Sequence, residues 1–189
     1  VASGAEQLIT SREFERILRG ARQAVFRLET LPEYREPSEQ AWLRAFTRGD
    51  WWPPACPEQD EWEAMLRAKV AAGVLFQRVH VVTEPLSPYL QFELCWAYPP
   101  NAAAGERIRI ADASRGWPDR VPRFDFWVID GSRYDVAYSR DGQLFGVTAR
   151  GWRRETHPWV LASIRQSTPL EVFLAARPQL SARALSVRR

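Results

Sequence analysis

Asp130-Gly131 and Asp141-Gly142 constrain this chain more than any other feature, because Asp-Gly between apolar segments is the residue chemistry of a tight hairpin turn. Residues 124–149 therefore read as a three-stranded antiparallel meander, and a second layer must cover its apolar face. Further strands follow from period-two alternation and β-branched residues. Residues 26–30 alternate until Pro32 interrupts them, residues 74–83 carry Val79, Val81, Val82 and Thr83, and residues 107–111 form a shorter run.

The remaining segments have helical spacing. Thr10-x-x-Glu13 is a capping box, and Phe14, Ile17, Leu18, Ala21 and Val25 follow, predicting a helix over 11–24. Residues 39–48 and 58–72 predict two more, the second closed by Gly73. Gly49 to Pro54 breaks the pattern between them, and its adjacent Trp51 and Trp52 are expected to pack in the core. Ser87 as N-cap and Pro88 at the first helical position favour a three-turn helix over a strand, ended by Pro99-Pro100. A helix beginning near Pro158 precedes a second capping box, Thr168-x-x-Glu171. The expected fold is α+β, a mainly antiparallel sheet ending in a meander, with N-terminal, central and C-terminal helices. One domain over 1–178 is expected, with 179–189 a loosely ordered, arginine-containing tail.

Composition excludes several classes. Of 189 residues, 46% are hydrophobic and 26% charged, the balance of a folding chain. No apolar run approaches the roughly 20 residues of a membrane span, and no signal-peptide core opens the sequence, so a cytoplasmic location is expected. Two cysteines, Cys56 and Cys95, are too few for a disulfide scaffold. With two histidines and no CxxC or HxxxH spacing, neither a metal nor a cofactor is expected. Cations outnumber acids by only 26 to 23, and Lys69 is the only lysine, so arginine richness reflects codon bias as readily as nucleic-acid binding.

No dinucleotide fingerprint, P-loop, nucleophile elbow or zinc-protease motif is present, and enzymatic activity is left open. In a strand Arg78 and His80 share a face, and Glu84 would follow it. Glu93 lies one helical turn after Tyr89, and Arg27 and Glu29 could extend the cluster from the first strand. These residues suit general acid/base work by His80, Glu84 and Glu93, with Arg27, Glu29, Arg78, His80 and Tyr89 around an anionic ligand. They suit better a partly buried polar network in which Arg78 and Glu93 satisfy one another, because polar residues inside an apolar block need partners in any fold. Asp125, Asp130, Asp135 and Asp141 are spread over the meander, against two-metal chemistry. Arg150, Trp152, Arg153 and Arg154 are the candidate nucleic-acid contacts, by stacking and phosphate pairing. Asn101 reads as a loop residue bonding its own backbone.

Several short stretches occur in a specific order: Phe26-Arg27-Leu28-Glu29-Thr30-Leu31, Arg78-Val79-His80-Val81-Val82 with Glu84-Pro85-Leu86-Ser87 and Tyr89, Tyr98-Pro99-Pro100-Asn101 with Gly105-Glu106, and Asp125-Phe126-Trp127. In these the chain resembles an actinobacterial family of uncharacterised single-domain proteins often encoded near helix-turn-helix regulators. The resemblance implies a cytoplasmic protein with a role near transcriptional control and assigns no catalytic residues. With the missing catalytic motifs and the aromatic load available for an interface, it leads to the expectation of a regulatory or protein-interaction module whose partner is such a regulator or a second copy of the chain. An enzyme or small-ligand binder is the alternative, and direct nucleic-acid binding the third reading.

Overall fold

A computed structural model of the chain describes residues 6–186. Its strands are β1 (Gln7–Ile9), β2 (Ala24–Glu29), β3 (Leu75–Val82), β4 (Arg107–Asp112), β5 (Asp125–Ile129), β6 (Ser132–Tyr138), β7 (Leu144–Gly151) and β8 (Thr168–Pro169). They form one sheet in the order β1-β7-β6-β5-β2-β3-β4-β8. Only β2-β3 and β3-β4 are parallel; every other pair is antiparallel, so the sheet is mostly antiparallel and the class is α+β. Parallel neighbours need crossover connections, and helices supply both of them. The helices α2 (Gln40–Arg48) and α3 (Pro57–Ala71) connect β2 to β3, and α4 (Pro88–Phe92) with α5 (Tyr98–Ala103) connects β3 to β4.

The meander forms as the turn residues require, with a difference between its two turns. Asp130 and Gly131 both take positive φ, 46° and 84°, as a two-residue hairpin demands. The second turn is longer, Ser139 N–H donating to Gln143 O, and Gly142 has φ 79°. A side chain at Gly142 would meet Glu33 O at 2.5 Å, so glycine is needed there for close approach as well as for its backbone angle.

Helix α1 (Ser11–Arg19) opens on the expected capping box, Thr10 accepting from Glu13 N–H while the Glu13 carboxylate accepts from Thr10 N–H. It stops at Gly20, short of residue 24, because the Asp130 carboxylate accepts from the N–H groups of Arg22, Gln23 and Ala24 and turns the chain into β2. Asp130 thus does more than make its own turn.

Each strand has two faces. On one, Phe26, Leu28, Val79, Val81 and Phe126 form an apolar layer under α6 (Thr156–Arg165), whose Trp159, Val160 and Ala162 pack on it. On the other lie Arg27, Glu29, Arg78 and His80, under the helices that connect the parallel strands. The first face is an ordinary core; the second carries the site.

Four expectations fail for identifiable reasons. Pro99-Pro100 does not end the helix that follows Ser87. A π-helical turn, Glu93–Ala97, joins α4 to α5; Tyr98 N–H donates to Glu93 O, and the prolines stand in the first turn of α5. Thr168 makes no capping box: Thr168–Pro169 pairs with β4, and α7 (Leu170–Ala175) starts without a side-chain cap. The segment expected to be a loose tail forms α8 (Pro178–Ser186), with Leu180 and Ala184 buried and Arg183 3.4 Å from the centre of the Phe46 ring; residues 187–189 lie outside the described residues. Trp51 and Trp52 are 74% and 51% exposed, since Trp42, Phe46 and Trp96 already fill the adjacent core. Among the described residues no helix is long and apolar enough to cross a membrane.

Candidate functional site

Period two puts Arg27 and Glu29 on the front face of β2 and Arg78 and His80 on that of β3, and the parallel register pairs Arg27 with Arg78 and Glu29 with His80. Two guanidiniums side by side in a buried layer need carboxylates. Glu29 serves both, at 2.7 Å from Arg27 Nη2 and 3.0 Å from Arg78 Nη1. Glu106, just before β4, takes the rest of Arg78, its carboxylate oxygens 2.8 and 3.4 Å from Nε and Nη2. Arg78 therefore pairs with Glu29 and Glu106 rather than with Glu93, and its donors are occupied within the protein.

His80 is wholly buried. Its Nε2 donates to Leu31 O at 2.9 Å, while Nδ1 lies 2.6 Å from the Tyr98 hydroxyl and 3.3 Å from Glu93 Oε2. Burial alone would depress the imidazole, but the Glu93 and Glu29 carboxylates outweigh it and raise His80 to about 9. His80 is thus an imidazolium at neutral pH, donating through Nδ1–H to Tyr98, which in turn donates to Glu29 at 3.0 Å. Glu29 is lowered to about 2: burial pushes it up, and Arg27, Arg78 and His80 together pull it down further.

Tyr98 reaches this network only because of the π-helical turn. At about 100° per residue a regular α-helix would set Glu93 and Tyr98 roughly 140° apart. The extra residue in the turn brings both to face His80. Tyr89, one turn before Glu93, donates to Glu39 Oε2 at 2.5 Å and lies 3.4 Å from Glu93 Oε1. Glu39 is raised to about 8, by burial and then by repulsion from Glu93, and so holds its proton at neutral pH.

Beside the network lies a cavity of about 430 Å³. Arg78 and Tyr98 form its buried end, Trp42, Trp62 and Trp127 contribute apolar wall, and Glu15, Glu36 and Glu58 stand at exposed positions around it. Gln59 and Asn101 add a hydrogen-bonded amide pair, 2.8 Å apart. Asn101 is therefore a buried residue of α5 and not a loop residue bonding its own backbone. Arg27, Glu36 and Glu39 border both this cavity and a smaller one of about 50 Å³ that reaches Glu29, Tyr89 and Glu93.

The remaining candidates lie elsewhere. Glu84 is at the surface, 2.8 Å from Arg177. Arg150 is held by Asp135 at 2.7 Å and by Glu6. Trp152 is 70% exposed, and Arg153 and Arg154 follow it in sequence. The sequence reading missed Tyr98, Glu39 and Glu106, and also Asp125. That carboxylate accepts from Thr30 N–H, the Thr30 hydroxyl and the Tyr34 hydroxyl at 2.9, 2.6 and 2.6 Å, pinning the segment that follows β2.

Glu29, His80 and Glu93 bring three ligand atoms within 4.8 Å of one another, a spacing that suits a metal ion. The chemistry does not. Glu29 is shared by two guanidiniums, and His80 offers Nδ1 only after giving up its proton and its contact with Tyr98. For the same reason His80 has no free ring nitrogen with which to take a proton from a substrate.

The fold and site thus define an α+β domain with a charge-compensated ionic core against a cavity. The chain belongs to the family described as a domain of unknown function, DUF6879, whose model matches residues 12–175. No curated protein matches it. Among solved structures it is similar to TrmBL2, an archaeal chromatin protein whose structure is described as showing a novel mode of DNA binding; the TM-score is 0.46 and the identity 9%, over 87% of this chain and 54% of that one. The chain spans about half the length of TrmBL2, and a likeness this loose carries no site residue across.

Proposed function

We propose that this domain is a small-molecule-binding regulatory module that acts through a protein partner, and that its ligand sits in the cavity beside the ionic network. The observation that carries this reading is the cavity itself. At about 430 Å³ it falls in the size range of small-molecule sites, with apolar wall and a few converging polar groups. The network gives that wall a fixed shape, since each charged member is held by at least one other member. Binding rather than turnover is favoured, because His80 is enclosed with both ring nitrogens engaged. Tyr98, Gln59 and Asn101 are the polar contacts proposed for the ligand.

The partner half of the reading rests on exposed apolar residues at one edge of the sheet. Leu8 of β1 is 74% exposed and Phe145 of β7 is 85% exposed, on paired neighbouring strands. A helix-turn-helix regulator or a second copy of the chain is the proposed partner.

A thermal-shift screen tests the ligand half. Compounds should raise the melting temperature of the wild type and not of Gln59→Trp, whose indole would occupy the cavity; a ligand present at 100 times its Kd stabilises by about 2.7 kcal/mol. Hits that stabilise both proteins equally, or an absence of hits, would sink the reading.

A further inference from the structure

The charges around the cavity do not balance, and their sign indicates which ligand fits. Arg27 and Arg78 are the cations of its wall, and both are already matched, by Glu29 and by Glu106. Glu15 is matched by Arg19 at 2.9 Å. Glu36, Glu39 and Glu58 remain. Among the described residues no arginine, lysine or histidine makes an ion pair with any of them, and all three border the cavity.

The apolar wall points the same way. The Arg27 guanidinium lies 4.9 Å from the centre of the Trp127 ring, so this wall already accommodates one organic cation against an aromatic face. Trp42, whose indole N–H is turned away to Pro54 O, and Trp62 extend the aromatic surface around the space that remains.

Resting on the ligand-binding reading above, we infer that the cavity takes an organic cation: an ammonium or guanidinium on an apolar frame, its charge facing Glu36, Glu39 and Glu58 and its frame against Trp42, Trp62 and Trp127. An anion would meet three carboxyl groups, and both guanidiniums of the wall are already paired with carboxylates.

Binding is then linked to one proton. Glu39 is protonated at neutral pH, raised to about 8 by burial and by Glu93. The other groups facing it are Tyr89 from α4, Arg27 from β2 and Glu36, three residues before it. Cys56 and Glu58 border the larger cavity, and Tyr34, Arg35 and Tyr138 border the smaller one. A cation at the Glu39 carboxyl favours its ionised form, so binding expels the proton and affinity rises with pH up to about 8.

Calorimetry on the full chain tests this with three single-ring probes: benzyltrimethylammonium, which keeps its charge at every pH, benzyl alcohol and benzoate. The cation should bind at least roughly tenfold tighter than either other probe, and should tighten by roughly tenfold between pH 6.5 and 8 in the wild type but not in Glu39→Gln, which keeps a group for Tyr89 to bond without a titrating charge. A preference for benzoate or benzyl alcohol, or an unchanged pH slope in Glu39→Gln, overturns the cation assignment and leaves the ligand-binding reading standing. If no probe binds and no screened compound distinguishes the wild type from Gln59→Trp, the ligand-binding reading falls and the assignment with it.

Discussion

The two faces of β2 and β3 are written by alternate residues of the same short segments, yet they are held together by different physics. Behind the sheet, Phe26, Leu28, Val79 and Val81 meet α6 as an apolar layer. In front, Glu29, Arg78 and His80 are just as enclosed and Arg27 is partly so, but all four are held by directed contacts, each with a named partner at a fixed distance. An apolar layer tolerates substitutions that conserve volume, because dispersion and burial have no direction. An ionic layer does not tolerate the loss of one member, because a charge left without its partner in low dielectric has no compensation.

The largest effect should come from the front. Glu29 serves Arg27, Arg78 and Tyr98 at once, so Glu29→Ala leaves two buried guanidiniums without their shared carboxylate and should cost about 3–5 kcal/mol by urea unfolding. The matching change behind, Leu28→Ala, removes a fully buried side chain and should cost about 3 kcal/mol. If Glu29→Ala proves milder than Leu28→Ala, the front face is not an interdependent network and the comparison fails.

pH separates the two faces more selectively, since only one of them titrates. His80 in the folded protein is raised to about 9 from 6.5, so its contribution to stability is fully present below about 6.5 and is lost as pH rises through 9. Glu39 is raised to about 8 from 4.5, and its protonated form likewise favours the fold below about 4.5, with that contribution lost as pH rises through 8. Glu29 behaves oppositely: it is lowered to about 2, so its contribution is present above about 4.5 and disappears as pH falls through 2. Stability by urea unfolding should therefore decline on the alkaline side, by an amount comparable with what Leu28→Ala costs at neutral pH. Glu39→Gln should flatten the part of the decline below pH 8, and His80→Gln the part approaching pH 9. Parallel alkaline declines in the wild type and both variants would remove His80 and Glu39 as its source.

Much of the front face was legible because strand periodicity does not depend on what lies across the sheet. Arg27 with Glu29 and Arg78 with His80 follow from period two alone, and Tyr89 with Glu93 from one helical turn. Tyr98 was hidden because its place depends on a π-helical turn, and a helical repeat of 3.6 sends it to another face. Glu106, Glu39 and Asp125 were hidden for a different reason. Each meets its partner across a long sequence separation, and that contact depends on strand order, which hairpin signals give for the meander and not for the parallel β2-β3-β4 core. The C-terminal helix was misjudged from its arginines and lack of acidic residues, whereas Leu180 and Ala184 are covered by the π-helical turn that the helix packs against.

Glu84 marks where period two stops being a guide, and it carries the smallest prediction. Continuing the face of Arg78 and His80 along the chain would place Glu84 in the network, yet β3 ends at Val82 and the carboxylate turns outward to Arg177, with 43% of its side chain exposed. A pair at that exposure is screened by solvent and contributes no more than about 1 kcal/mol. Glu84→Gln should therefore lower stability by at most that amount and leave the affinity for benzyltrimethylammonium unchanged, whereas Glu39→Gln alters its pH dependence. If Glu84→Gln instead weakens binding as much as a cavity substitution does, the site extends past the end of β3 and the boundary drawn here between network and surface is misplaced.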